Sequence, residues 1–189
     1  MTDVQFDHAM KEMQKGNKDA LKGIYSDYAG YIYSCIYNVV KSKENAEDLT
    51  SDFFLKLWDI SNHYKPGSGH KAWMARIARN MSIDFLRKRK RETLTDTMED
   101  AANQEKESGH GSTIYDIDTK SPVEEEVISD LSIREALLKL TDEEREVIHM
   151  KIMGDLTFRE IAEIMNLSMG TVTWKYQSAI KKLRRCGYE

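Results

Sequence analysis

The chain has 189 residues, of which 32% are charged, two are prolines and ten are glycines. This composition predicts an all-helical protein of one medium domain or two small ones. No apolar run approaches the length of a membrane span and no signal segment opens the chain, so we expect a cytoplasmic protein without membrane insertion. Cys35 and Cys186 lie outside any metal-binding motif, which argues against structural zinc and a disulfide framework. We expect no metal and no cofactor.

Charge is distributed unevenly along the chain. The formal net charge is −4, yet residues 1–91 carry +5, residues 92–126 carry −9 and residues 127–189 are neutral. Local patches of charge set the field that a polyanion meets, so an acidic total does not exclude nucleic-acid binding. Residues 92–120 also lack apolar periodicity, and we expect them to form a flexible acidic linker.

Apolar residues recur at helical spacing through the first half of the chain. The predicted helices cover residues 4–14, 17–41, 46–60 and 71–91. Pro66, Gly67 and Gly69 interrupt residues 63–70, which must form a loop before the fourth helix. Together these elements predict an N-terminal helical domain over residues 1–91.

The third predicted helix carries a stripe of residues at positions i, i+3, i+4 and i+7, which therefore share one face. This acidic stripe consists of Asp48, Ser51, Asp52 and Leu55. A solvated face is the simplest interpretation of carboxylates alone, but Leu55, with Phe54 and Trp58 beside it, favours a surface for a partner protein. A divalent-metal nuclease using Glu47, Asp48 and Asp52 is a further hypothesis, disfavoured because these residues sit on a surface helix.

The fourth predicted helix combines basic, aromatic and amide side chains. Basic groups bind phosphates, and an aromatic or amide group can contact an unstacked base, so the helix and the loop before it suit a nucleic-acid groove. The candidate residues are Trp73, Arg76, Arg79, Asn80, Arg87 and Lys88. A solvated basic face remains the alternative.

The last part of the chain predicts four helices over residues 121–189. The first begins at Ser121 and runs to about Lys139, and a capping box of Thr141 and Glu144 begins the second. Gly154 should end that second helix.

The final two helices have the layout of a helix-turn-helix. Thr157 and Glu160 form a capping box, Asn166 suits the turn, and Ser168 can cap the second helix. A helix in this position enters the major groove of DNA. Its candidate contacts are Ser168, Thr171, Thr173, Trp174, Gln177, Ser178 and Lys181. An ordinary helical hairpin with a basic tail is the alternative interpretation.

Three segments together resemble the extracytoplasmic-function (ECF) sigma factors of bacterial RNA polymerase. They are AEDLTSDFFLKLW at residues 46–58, AWMARIARNMSIDFLRKRKR at residues 72–91, and residues 140–185. The resemblance implies two small helical domains, residues 1–91 as sigma region 2 and residues 121–189 as sigma region 4. The implied partners are core RNA polymerase at its clamp and flap regions, promoter DNA and an anti-sigma factor.

The resemblance also assigns roles by position. The acidic stripe falls where the family grips the polymerase clamp, and Asn80 with loop 64–70 falls where it captures a flipped −10 base. Thr173, Trp174, Gln177 and Ser178 fall where it reads the −35 element, and the linker falls where the family threads the active-site cleft and RNA exit channel. Ser51 stands where the family usually has Gln, and Trp174 where it usually has a small or basic residue.

The leading hypothesis is a promoter-specificity subunit without catalysis of its own. The second is an autonomous helix-turn-helix regulator, although nothing in residues 1–91 suggests a ligand pocket. An autonomous regulator would bind duplex DNA without polymerase, so a gel shift with and without core polymerase separates the two.

Overall fold

The computed structural model describes residues 1–67, 69–100 and 137–185, and every element longer than a single turn in these ranges is an α-helix. The helices are α1 Asp3–Gln14, α2 Lys18–Val40, α3 Lys43–Asp59, α4 His70–Asp100, α5 Asp142–Ile152, α6 Phe158–Met165 and α7 Met169–Arg184. The all-α prediction is confirmed. None of these helices is long and apolar enough to cross a membrane, among the residues described.

Local sequence signals set most helix ends in the N-terminal domain. The Asn17 side chain accepts a hydrogen bond from the backbone of Asp19, and Ser42 accepts one from Asn45, so each caps the helix that follows. Between these caps, Lys41 takes a left-handed conformation with φ of 58° and ends α2.

The fourth helix is longer than the sequence predicted. It begins at His70 and continues to Asp100, so residues 92–100, which the sequence assigned to the linker, are helical. The acidic composition of this segment suggested a linker, but no glycine or proline interrupts the chain there, and Lys88 pairs with Glu92 at i, i+4. The remainder of the predicted linker and most of the helix expected from Ser121 lie outside the described residues.

The core of the N-terminal domain is built by α1 to α4. Its fully buried large side chains are Phe6, Met10, Ile24, Ile32, Ile36, Phe53, Leu57 and Met74. Burial of each side chain of this kind contributes about 1.5–3 kcal/mol. Tyr25 of α2 is 50% exposed and packs against the ring of Phe54.

The C-terminal domain confirms both predicted capping boxes. Thr141 with Glu144 begins α5, and Thr157 with Glu160 begins α6. Asn166 takes a left-handed conformation with φ of 55° in the turn before α7, as predicted from its tolerance of that region.

The two domains pack against each other. Helix α2 contacts α5, and α4 contacts α6. Val147, Met150, Leu156 and Ile161 of the C-terminal domain belong to the same apolar cluster as the core of α1 to α4. The sequence predicted two domains on a flexible tether, and the structure adds a direct contact between them.

Candidate polymerase and nucleic-acid interface

Helix α7 presents an exposed face in the helix-turn-helix. Trp174 is 63% exposed, and Gln177 and Lys181 are exposed on the same side. Ser168 caps the helix by accepting from the backbone of Thr171, and the ring of Tyr176 packs on Phe158 of α6 at 5.2 Å. The capping and the ring contact hold α7 rigidly on the domain while its outer face stays free.

Two predicted DNA contacts on α7 are engaged within the domain. The Ser178 hydroxyl donates to Glu144 at 2.7 Å, so this partly exposed side chain joins α7 to α5. A contact of Ser178 with DNA stays a prediction. The Thr173 hydroxyl donates to the carbonyl of Met169 at 2.9 Å, although Thr173 remains partly exposed.

Glu144 is the anchor between α5 and α7. Burial raises the pKa of this carboxyl, but hydrogen bonds from Lys182, the backbone of Thr141 and Ser178 outweigh burial and bring the pKa to about 2. The Lys182 ammonium lies 2.6 Å from the carboxylate. Glu144, which the sequence predicted only as part of a capping box, thus also holds α7 against α5.

The acidic stripe on α3 is exposed along its whole length. Asp48, Ser51 and Asp52 are exposed, and Leu55 is 66% exposed beside them. Phe54 and Trp58 do not extend this surface, since Phe54 is buried and Trp58 is half-buried in the domain. No group of three or more His, Cys, Asp or Glu side chains could hold a metal ion in the described parts of the chain.

Several of the predicted −10 residues lie on the outer side of α4. Asn80, Arg87 and Lys88 are exposed, while Trp73 is half-buried. The ring of Trp73 packs against Tyr64, at the start of the loop, with centroids 5.0 Å apart.

Two predicted −10 arginines are paired with carboxylates of the C-terminal domain. The Nε of Arg79 donates to Glu146 at 2.8 Å, and these side chains are only 19% and 10% exposed. Arg76 pairs with Glu163 at 3.3 Å, with both side chains about half exposed. Sequence reasoning missed both pairs, because the partners are more than sixty residues apart and no local pattern relates them.

A histidine of α5 completes the contact between domains. His149 Nε2 lies 2.7 Å from the Ser34 hydroxyl, Nδ1 lies 3.9 Å from the Cys35 sulfur, and the ring stacks on Tyr31. A Cβ atom at Gly154 would lie 2.6 Å from the Met150 carbonyl oxygen and 2.7 Å from the Tyr31 hydroxyl, so glycine is needed here both by the backbone of α5 and by the close approach of α2. The sequence predicted Gly154 as a helix end, and it stands directly after Met153, the C-cap of α5, as predicted.

Burial makes the domain contact sensitive to protons. It lowers the pKa of His149 to about 4, while it raises the pKa of the neighbouring Cys35 thiol to about 12 and raises the pKa of Tyr31 above its ordinary value. All three groups are therefore neutral at pH 7. Because the pKa of His149 is lower in contact than when solvated, the contact is most stable above pH 6.5 and weakens as pH falls towards 4.

Comparison with known proteins identifies the family of the chain. The family model described as Sigma-70 region 2 matches residues 24–92, and the model described as Sigma-70, region 4 matches residues 130–183. The ECF RNA polymerase sigma factor SigW of Bacillus subtilis (strain 168) is 30% identical over 181 residues, which covers 93% of each chain. The ECF RNA polymerase sigma factor SigK of Mycobacterium ulcerans (strain Agy99) is 22% identical, over 94% of this chain and 90% of the relative.

A solved structure shares the fold. The sigma factor RpoE, in complex with the anti-sigma factor NepR from Bartonella quintana, matches with a TM-score of 0.61 at 23% identity, covering 90% of this chain and 97% of that chain. A shared fold alone does not assign the chain to a family. The sequence similarity to SigW, over most of both chains, does assign it. The exposed face of the helix-turn-helix and the acidic stripe agree with this assignment. The chain therefore belongs to the family of ECF RNA polymerase sigma factors.

Proposed function

We propose that this chain directs core RNA polymerase to a promoter class through three surfaces, without a catalytic step of its own. The acidic stripe on α3 binds core polymerase, α4 with the loop before it binds the −10 element, and α7 reads the −35 element. The observation that carries the proposal is the outer face of α7, where Trp174, Gln177 and Lys181 are exposed together on the second helix of the helix-turn-helix. Because core polymerase works in the cytoplasm, the chain acts there.

The α7 face supplies two kinds of DNA contact. Gln177 can make a bidentate hydrogen bond to adenine, which specifies a base pair, while Lys181 and the basic end of the helix contact phosphates, which position the helix. Trp174 adds a large apolar surface at the centre of the face. Its indole lies near the ammonium of Lys175, 5.7 Å from the ring centroid, which restricts its orientation. Ser178 is left out of this set because it is bonded to Glu144.

The −10 surface must bind a strand whose bases are unstacked. Extrusion of a base costs a few kcal/mol, which phosphate contacts and a base pocket must offset. Exposed Asn80 supplies an amide for a base edge, Arg87 and Lys88 supply charge, and loop 64–70 supplies the wall of a pocket.

The contact between the domains restrains this activity until the chain opens. With the two domains in contact, Glu146 forms an ion pair with Arg79 and Glu163 forms one with Arg76. In this closed arrangement the two guanidinium groups are not available to DNA phosphates. Reading of the −10 element then requires α5 and α6 to leave α2 and α4. An anti-sigma factor is a further partner, and the complex of the fold relative RpoE with the anti-sigma factor NepR supports this expectation.

The acidic stripe offers the sharpest test of polymerase binding. Reversing two charges with Asp48→Lys and Asp52→Lys should abolish co-purification with core polymerase at unchanged helical content, since both side chains are exposed. Glu12→Lys with Asp84→Lys makes the same change of net charge elsewhere and should leave co-purification intact. In-vitro transcription on a genomic fragment library, with mapped start sites, then identifies the promoter. Unchanged binding of the stripe variant, or specific duplex binding by the chain without core polymerase, would contradict the proposal.

A further inference from the structure

The N-terminal helix α1 contacts both ends of the loop that joins the third and fourth helices. Asp7 accepts a hydrogen bond of 2.6 Å from the hydroxyl of Tyr64, the first residue of the loop. Asp3 accepts one of 2.5 Å from Nδ1 of His70, where the loop ends and α4 begins, since a carboxylate can only accept. Tyr64 and His70 are 5% and 4% exposed, so both ends of the loop are buried against α1.

A phenylalanine on the same face of α1 fills the space between these two bonds. Phe6 is fully buried, stacks on the His70 ring at 4.5 Å and meets the Tyr64 ring edge-on at 5.3 Å. Asp3, Phe6 and Asp7 stand at i, i+3 and i+4, which places them side by side on a helix. One turn of α1 therefore holds both ends of the loop.

Helix α1 is itself fixed to α2. The Tyr28 hydroxyl lies 3.0 Å from the carbonyl oxygen of Met1 and 2.5 Å from Nε2 of His70. The N-terminal ammonium pairs with Asp27 at 2.8 Å. The ends of the loop are thus tied through α1 to α2 in the domain core.

The tip of the loop and its aromatic neighbour remain available to a ligand. Lys65, Pro66 and Gly67 are exposed between the two held ends. At the start of the loop Tyr64 packs on Trp73, so the position of Trp73 depends on the same bond from Asp7. A site held in its binding geometry avoids the cost of ordering on binding and discriminates better between ligands.

We infer that α1 is a positioning element for −10 recognition, in which Asp3 and Asp7 hold the two loop ends, Tyr64 and His70, and with them Trp73, in the geometry that accepts one unstacked base. This inference rests on the proposed role of the loop and α4 at the −10 element. It assigns Asp3 and Asp7 no contact with DNA. Their effect reaches the base through His70 and Tyr64.

The test uses the full chain with core polymerase on its mapped promoter. Transcription is measured on a panel carrying all four bases at each −10 position, with permanganate reactivity of −10 thymines as the readout of melting. The double variant Asp3→Ala, Asp7→Ala should flatten the preference at one −10 position by about tenfold. Tyr64→Phe, which removes one bond and keeps the ring, should flatten it in the same direction and to a smaller extent. Glu12→Ala is the control, because it removes a carboxylate from α1 that pairs with Lys15 and not with the loop.

The outcomes distinguish a role of α1 in positioning the loop from a role in stabilising the fold alone. A merely structural role of α1 would lower the thermal midpoint and total transcription on every template equally, and an unchanged base profile in both variants would overturn the inference. Asn80→Ala in the same assay separates this failure from that of the proposed function. If Asn80→Ala alters −10 opening and the α1 variants do not alter the profile, only the role of α1 is wrong. If neither has an effect, the proposed −10 surface is wrong as well.

Discussion

The pair Arg79–Glu146 predicts how firmly the two domains hold each other. Glu146→Gln keeps the size of the side chain but leaves the Arg79 guanidinium, 19% exposed, without a carboxylate in the closed arrangement. Removal of one partner from a buried ion pair costs about 3–5 kcal/mol. Because Arg79 keeps some contact with water, we expect about 3 kcal/mol, which shifts the equilibrium towards separated domains by roughly a hundredfold.

The neighbouring pair Arg76–Glu163 is a matched control. Both of its side chains are about half exposed, and pairs of that kind contribute about 0–1 kcal/mol. Glu163→Gln makes the same chemical change at the same domain contact, so it should shift the equilibrium less than about fivefold. The difference between the two variants therefore measures burial and not net charge.

Energy transfer between two fluorophores reads the separation of the domains. Leu55→Cys on α3 and Met169→Cys on α7 are exposed labelling sites, and Cys186→Ser removes a competing thiol. Cys35 stays unlabelled because it is buried and burial raises its pKa to about 12. Transfer is followed against urea, with far-UV circular dichroism at each concentration to distinguish separation from unfolding. Equal urea midpoints for Glu146→Gln and Glu163→Gln would refute the reasoning.

Three further predictions concern protons, packing and DNA. At pH 5.5 the domain contact should be about 1 kcal/mol weaker than at pH 7.5, because the pKa of His149 is about 4 in contact and 6.5 when solvated, and His149→Gln should remove this pH dependence of the energy-transfer midpoint. Gly154→Ala should lower the free energy of unfolding in urea by about 1–3 kcal/mol, since its Cβ would lie 2.6 Å from the Met150 carbonyl oxygen and 2.7 Å from the Tyr31 hydroxyl, and Tyr31→Phe should restore only the part of the loss that the hydroxyl causes. Gln177→Ala should cost about 1–3 kcal/mol at one −35 base pair, whereas Lys181→Ala should weaken binding evenly and lower the salt slope by about one, as measured on a panel of promoter variants. An unchanged sequence profile for Gln177→Ala would remove it from the −35 contacts.

The signals that sequence reasoning used are local, and this explains where it succeeded. A capping box such as Thr141 with Glu144 needs only two residues three positions apart, so it is visible without a fold. The same holds for the left-handed turn at Asn166 and for the exposure of the acidic stripe, since helical geometry alone places residues at i, i+3 and i+4 on one face.

Tertiary structure decided which of these local features face each other. Periodicity placed Ser178 on the polar face of α7, but the position of α5 turned it into a partner of Glu144. It marked Arg79 as a free cation for DNA, but the packing of α5 against the N-terminal domain paired it with Glu146 across 67 positions of sequence. No local pattern distinguishes Asp3 and Asp7 from other acidic residues of a helix, because their partners His70 and Tyr64 lie far along the chain and meet them only in the folded structure. Helical period determines the face a residue occupies, whereas the choice of opposing face depends on how buried apolar surfaces of distant helices fit together, and no short segment of sequence contains that information.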